Sequence, residues 1–186
     1  MGNETIDSWV RQAQKGDLQA FQRLWEDAWP RMKRLASHLC GDPAQADDLV
    51  QATFIQAWKA LPTLREPGAF VGWLRRILVN RTRDHWRAQK PVSSLDDDDS
   101  FEPVDLEPLV HETMETLERH EAVRQAVASL PEAQRSVVAL YYLEEMDVLE
   151  VAATLDLPKG TVLSRLSRGR EALRIRLAGV AMEVSE

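Results

Sequence analysis

Residues 91–118 hold ten acidic side chains and not one lysine or arginine, with prolines at 91, 103 and 108. Four of the acids are consecutive, Asp96-Asp97-Asp98-Asp99. Few apolar groups and much like charge cannot offset the entropy of ordering a backbone, so an extended, flexible tether is expected here. This segment forbids one continuous core across the 186 residues. The expected organisation is a domain over 1–90, a linker over 91–117, a second domain over 118–178 and a tail over 179–186. Each domain is small, and its burial on folding is correspondingly modest.

Outside the tether the periodicity is helical. Good helix formers dominate, apolar residues recur three and four apart, and no stretch sustains two-residue alternation. The chain therefore reads as all-α. Asp17, after Gly16, is an expected N-cap for a helix through Phe21, Leu24 and Trp25. Pro30 is expected to kink or end that helix, because it lacks a backbone donor and crowds the preceding turn. Asp42-Pro43 reads as a cap followed by proline in the first turn of a helix running to Leu61. A loop with two prolines, Leu61 to Gly68, precedes a helix over 69–88. After the tether, helices are expected over 109–129, from Leu130-Pro131-Glu132 through Tyr142, over 147–155 and over 159–177.

The net charge of −7 conceals two basic segments. Residues 65–90 carry seven basic groups against two acids, and residues 159–176 carry six against one. Such a distribution, rather than the total, decides whether a polyanion can bind.

Two short helices flank Asp156-Leu157-Pro158, and the later one, which holds the second basic segment, is richer in arginine. That arrangement is what a helix-turn-helix requires, the alternative being a packed helix with an ordinary solvated face. Val148, Val151, Ala152 and Leu155 form the inner face of its first helix, with Ala152 and Ala153 small enough for close approach. Val162, Leu166, Gly169 and Leu173 fall within about 60° on a helical wheel. The opposite side carries Ser164, Ser167, Arg168 and Glu171, flanked by Thr161 and Arg165. That face can read bases and phosphates.

In the first basic segment, Arg76, Asn80, Arg83 and Arg87 lie at spacings of 4, 3 and 4, in one stripe. Phe70, Leu74, Ile77 and Leu78 take the far side, and Trp73 and Trp86 flank the stripe as possible stacking surfaces for unpaired bases. Arg81 falls on the apolar side, where a buried ion pair is its expected role. On the preceding helix, Leu49, Val50, Ala57 and Leu61 face inward. Asp48, Gln51, Ile55 and Lys59 face outward, with Phe54 and Trp58 toward the border. An outward isoleucine beside large aromatics is a mixed patch of the kind that anchors a protein partner.

Catalytic and metal chemistry have no foothold. His38, His85, His111 and His120 follow Leu35, Thr82, Pro108 and Leu117 at three positions, so no Glu-x-x-His pair exists. No phosphate-binding loop, zinc-binding H-E-x-x-H helix or nucleophile elbow occurs. Glu150 reads as solvated charge, and Cys40 as a small buried hydrophobe. No cofactor and no enzymatic activity are expected. No apolar run approaches the ~20 residues of a membrane span, and the N-terminus lacks a leader pattern. Cytoplasmic localisation is expected.

These residues resemble the bacterial RNA polymerase sigma factors of the extracytoplasmic-function (ECF, group IV) class. Asp47-Asp48-Leu49-Val50-Gln51 through Phe54 and Trp58 resembles one of that family's blocks. Ala69-Phe70-Val71-Gly72-Trp73-Leu74 through Asn80 and Asp84 resembles the next. Leu130-Pro131-Glu132, Asp156-Leu157-Pro158-Lys159-Gly160-Thr161-Val162, Ser164-Arg165 and Arg168-Gly169-Arg170 resemble its C-terminal DNA reader.

The resemblance implies a subunit that binds core RNA polymerase and directs promoter-specific initiation. Residues 1–90 would be its region-two domain and 118–178 its region-four domain. Asp48, Gln51, Phe54, Ile55 and Trp58 would meet the clamp helices of the largest polymerase subunit. Trp73, Arg76, Asn80, Arg83 and Arg87, with the Leu64–Gly68 loop, would recognise and open the −10 element of promoter DNA. Thr161, Ser164, Arg165, Ser167 and Arg168 would read the −35 element, and an anti-sigma factor would restrain the whole. The family often has arginine where Leu163 stands. Without that resemblance, the residues also admit a helix-turn-helix regulator with an N-terminal sensor domain.

Overall fold

The computed structural model describes residues 2–40, 42–89, 123 and 125–183, with backbone alone at 2–4, 43, 87–89 and 178–183. The expectations for the acidic tether, for 109–122 of the expected 109–129 helix and for residues 184–186 lie outside the described residues. Every regular element among the described residues is helical. The chain divides into two compact units, Met1–Arg87 and Ala88–Glu186.

The first unit holds α1 (Gly2–Ala13), α2 (Leu18–Cys40), α3 (Pro43–Ala60) and α4 (Phe70–Gln89), with a loop over 61–69 between the last two. Gly16, at φ +94°, makes the turn from α1 to α2, a conformation that costs a glycine little. Asp17 then caps α2, accepting from the amides of Gln19 and Ala20 at 2.9 and 3.2 Å. Asp42 caps α3 by accepting from Ala44 N at 2.9 Å, with Pro43 in the first turn. α2 packs against both α1 and α3. Their shared core includes Leu24, Met32, Leu35, Leu39, Val50, Phe54, Leu61, Leu74 and Leu78, each fully buried. Cys40 is buried as well.

Two expectations for this unit are corrected. Of the two outcomes expected at Pro30, a kink or an end, the end is excluded: α2 continues through it to Cys40. A proline inside a helix costs about 3 kcal/mol. Beyond it, Met32, Leu35 and Leu39 are all buried, at roughly 1.5–3 kcal/mol apiece. Packing outweighs the lost bond. Arg81 has no ion-pair partner among the described residues; it is half-buried and donates from Nη1 to Gln56 Oε1 of α3 at 3.0 Å. α1 was not among the expected helices, although Ile6, Trp9, Val10 and Ala13 recur at helical spacing; Val10 and Ala13 are its buried residues among those described.

In the second unit, a helical turn over 125–128 leads into α5 (Glu132–Val138), which continues as a wider π-type turn over Ala139–Leu143. α6 (Val148–Leu155) and α7 (Lys159–Glu183) follow. α7 thus runs six residues beyond the expected end at Leu177. Both α5 and α6 pack on α7. The core joins Leu130, Val137, Val138, Leu140, Val151, Leu155, Val162 and Leu166. Arg135 is buried, and donates from Nε and Nη2 to the Leu130 carbonyl at 3.3 and 2.8 Å. A carbonyl ending one helical turn thereby satisfies a cation at the start of the next.

Candidate nucleic-acid interface

The helix-turn-helix is built as its sequence requires. Asp147 accepts from Glu150 N at 2.8 Å while the Glu150 carboxylate accepts from Asp147 N at 2.9 Å. This reciprocal capping box fixes where α6 begins. Glu150 therefore has a structural duty, and is not simply solvated charge. Its signal was legible as an Asp three positions before a Glu. α6 ends at Asp156, which adopts the left-handed conformation at φ 56°. Leu157 N then donates to Ala152 O at 3.0 Å, and Val162 N to Pro158 O at 3.1 Å. The three-residue turn is thus closed at both ends. Val151 and Leu155 are buried in α6, whereas Ala153 is exposed and takes no part in close approach.

On α7 the inner stripe of Val162, Leu166, Gly169 and Leu173 is buried as expected. The outer side is less uniform. Arg168 is exposed, while Thr161, Arg165 and Ser167 are half-buried. Ser164 departs from expectation: it is buried, and its Oγ donates to the Thr161 carbonyl at 3.0 Å. A serine within a helix readily bonds back to the preceding turn, and α7 is packed from two sides, by α5 and α6. Beyond Arg168, Glu171 and Arg174 form an exposed pair at 2.7 Å. The Arg174 guanidinium bonded to Glu171 holds that carboxyl below its ordinary range. Next to this helix, burial pushes the Tyr142 phenol up, partly opposed by the charge of Arg170.

α4 presents the first basic stripe. Arg76 and Asn80 are exposed and Arg83 is half-buried; the Arg87 side chain lies outside the described residues. Trp73 and Trp86 are half-buried beside them. Trp73 rests against buried Phe70, with ring centroids 6.1 Å apart at 40°. Trp86 meets His85 edge-on at 6.1 Å. The opposite face of the helix carries the buried Leu74, Leu78, Val79 and Thr82.

On α3, Asp48, Gln51 and Lys59 are exposed and Ile55 is 51% exposed. Phe54 does not lie at the border: it is fully buried. Its ring stacks on Trp25 at 4.8 Å and on Trp29 at 6.0 Å. Trp25 and Trp29, one turn apart on α2, stack on each other at 5.3 Å and 8°. Trp58 is half-buried against Phe21 at 4.9 Å. This aromatic layer between α2 and α3 was missed by sequence reasoning, although Trp25 and Trp29 at i and i+4 were its signal. Lys33 bridges to Asp47 at 2.8 Å across the same helix pair, a surface contact worth at most about 1 kcal/mol.

Among the described residues no helix is long and apolar enough to cross a membrane. Residues 24–92 match Sigma-70 region 2, and residues 120–173 match Sigma-70, region 4. The chain is 30% identical to ECF RNA polymerase sigma factor SigW of Bacillus subtilis over 176 residues, covering 90% of this chain and 94% of that protein. It is 34% identical to the ECF RNA polymerase sigma-E factor of Escherichia coli K12, covering 88% and 90%. Among solved structures, CnrH in complex with the cytosolic domain of CnrY is 25% identical, with a TM-score of 0.67 over 94% of this chain and 98% of that one. The sigma factor RpoE of Bartonella quintana, in complex with the anti-sigma factor NepR, has the same fold at 24% identity, with a TM-score of 0.64 over 87% and 98%. With both sigma regions in order and relatives at this identity along most of its length, the chain belongs to the ECF family of RNA polymerase sigma factors.

Proposed function

We propose that this sigma factor binds core RNA polymerase through the exposed face of α3, engages the −10 element through α4, and reads the −35 element through α7. The observation that carries this is the pairing of two exposed cationic surfaces in a chain of net charge −7. Arg76 and Asn80 stand on α4 of the first unit, and Arg168 on the second helix of a helix-turn-helix in the other. Phosphate contacts would position each surface, and side chains aimed at base edges would specify it. In this reading a region-two domain spans 1–90, a linker 91–117, a region-four domain 118–178 and a tail 179–186; the presence of two domains is supported by the two compact units.

On α3, Asp48, Gln51 and Ile55 supply the accessible contacts and half-buried Trp58 the edge of the patch. The polymerase element they meet is the pair of clamp helices on the largest subunit. Phe54 supports that face from beneath, through its stack on Trp25 and Trp29. On α7, Thr161, Arg165 and Ser167 flank Arg168, and Ser164 holds the helix turn rather than a base. An anti-sigma factor restrains the chain, a reading supported by the relative of the same fold solved with one.

The test is reconstitution: full-length protein is added to purified core polymerase, and the transcripts are sequenced. The expected result is a stoichiometric complex that initiates from promoters sharing −10 and −35 elements. DNA binding that yields transcripts only when another sigma factor is supplied would favour a helix-turn-helix regulator instead.

A further inference from the structure

We propose that Gln14 is a positioning residue for −10 recognition, which its side-chain amide serves by fixing the loop between α3 and α4. The proposal rests on the reading of Leu64–Gly68 as part of the −10 reader. Gln14 lies in the turn that closes α1, some fifty residues before that loop. Its Nε2 donates to Leu61 O at 3.1 Å and to Leu64 O at 2.7 Å. A carboxamide has two N–H donors, and here both go to one loop. Leu61 O also accepts from Leu64 N at 3.1 Å, so Gln14 completes a turn that already closes on itself.

The loop changes character at this point. Leu64 is extended, with ψ 112°, and its side chain is buried. Arg65 and Glu66, immediately beyond, are exposed. Leu64 O would otherwise lack a helical partner, and Gln14 gives it one just where the chain turns outward. The far end of the loop is held by the same helix. The turn over Pro67–Ala69 packs on α1, and a Cβ on Gly68 would lie 3.5 Å from Asp7 Oδ1. Asp7, Val10 and Gln14 are three and then four apart, hence on one face of the helical path, and Val10 between them is fully buried. α1 therefore braces both ends of a loop whose middle, Arg65 and Glu66, is presented to solvent. A base inserted against that middle would meet a preset backbone rather than one it must order, which favours discrimination.

The experiment uses the full-length chain with core polymerase on a promoter library randomised across −10, with the transcripts sequenced. Gln14→Leu keeps the approximate volume without a donor, Gln14→Glu turns a carboxylate toward two carbonyls, and Gln14→Lys restores an N–H donor. Gln14→Leu and Gln14→Glu should change the preference at one or more −10 positions by about fivefold or more. In the same variants, amide hydrogens over 61–69 should exchange about tenfold faster, as expected for two lost hydrogen bonds. Gln14→Lys should keep the original preference. Lower yield with unchanged preference would mean that Gln14 only stabilises the fold, and would overturn the proposal. So would a changed preference in Gln14→Lys, because packing rather than donation would then hold the loop. A double variant, Arg65→Ala with Glu66→Ala, tests the underlying reading. If it leaves −10 preference intact, the loop is no reader and that reading fails. If it shifts preference while the Gln14 variants do not, the positioning role alone fails.

Discussion

Gly169 on α7 meets Val138 on α5 so closely that a Cβ at position 169 would lie 2.6 Å from Val138 Cγ2 and 3.6 Å from Gln134 Cβ. The two helices cross at a separation that only glycine permits. Val138 is buried, and a β-branched side chain in a helix has one strongly preferred rotamer. It cannot swing aside. Gly169→Ala gains up to about 1 kcal/mol of helix propensity, against overpacking of about 1–3 kcal/mol. The variant should therefore unfold at lower temperature than the parent in thermal scans of the full chain. Adding Val138→Ala should recover part of the loss, and a transition raised by Gly169→Ala alone would contradict this account of the crossing.

Asp147 and Glu150 fix the start of the helix on which α7 rests. Glu150→Ala removes one half of the capping box and should cost about 1 kcal/mol, whereas Glu150→Gln retains an acceptor and should cost less. Binding to −35 duplexes should weaken in proportion to the loss of folded protein, with base preference unaltered. A changed preference would place Glu150 at the DNA.

Much of this was legible in the sequence because it rests on local chemistry. Asp17, Asp42-Pro43 and Asp156-Leu157-Pro158 mark helix ends by capping and turn geometry, which needs no knowledge of neighbours. The buried stripe of α7 follows from the helical period, as does that of α4 at Phe70, Leu74 and Leu78, though Ile77 is half-buried. The failures share a different cause. Pro30 reads as a break until the burial of Met32, Leu35 and Leu39 is weighed against it. Phe54 reads as a border residue until Trp25 and Trp29, from another helix, close over it. Ser164 lies opposite the apolar stripe on a wheel, but α7 has packing partners on two sides and the hydroxyl has a carbonyl within its own helix. α1 was overlooked although Ile6, Trp9, Val10 and Ala13 recur at helical spacing, and Gln14 gains its meaning only from carbonyls far along the chain.

Burial separates two neighbours on α3. Ile55 is 51% exposed and Phe54 fully buried. Ile55→Glu should leave thermal stability nearly unchanged while weakening binding to core polymerase by tenfold or more, an effect of roughly 1.4 kcal/mol or above at an interface anchor. Phe54→Ala should instead lower stability by about 3–5 kcal/mol through the cavity it leaves. Unaltered polymerase affinity in Ile55→Glu would remove α3 from the proposed interface.

On α4, Arg76 and Asn80 are exposed one turn apart. Arg76→Ala should slow promoter opening and reduce its dependence on salt, because a cation facing phosphate is lost. Asn80→Ala should blur the choice at one base position with little change in salt dependence. Opening kinetics across a salt series, measured on matched and mismatched −10 sequences, distinguish the two. Intact opening in both variants would make the stripe an ordinary solvated face.

The recognition helix permits the sharpest comparison, since its candidate contacts differ in exposure. Arg168 is exposed on the side away from Val162 and Leu166, and a guanidinium so placed can donate two hydrogen bonds to a guanine edge. Arg168→Ala should cost about 1–3 kcal/mol on the preferred −35 duplex and relax the choice at one base pair. Arg165 is half-buried toward the flank, where phosphate is the expected partner. Its loss should weaken all duplexes about equally and lower the salt slope. Leu163, also half-buried, offers no donor, so Leu163→Arg should strengthen binding without sharpening it. Ser164→Ala is the internal control. Its hydroxyl is committed to the Thr161 carbonyl, and base preference should stay as it was. Binding of the full chain to a library of −35 duplexes measures all four. If Arg168→Ala weakened every duplex alike while Ser164→Ala or Arg165→Ala changed base preference, α7 would enter the groove by a different face.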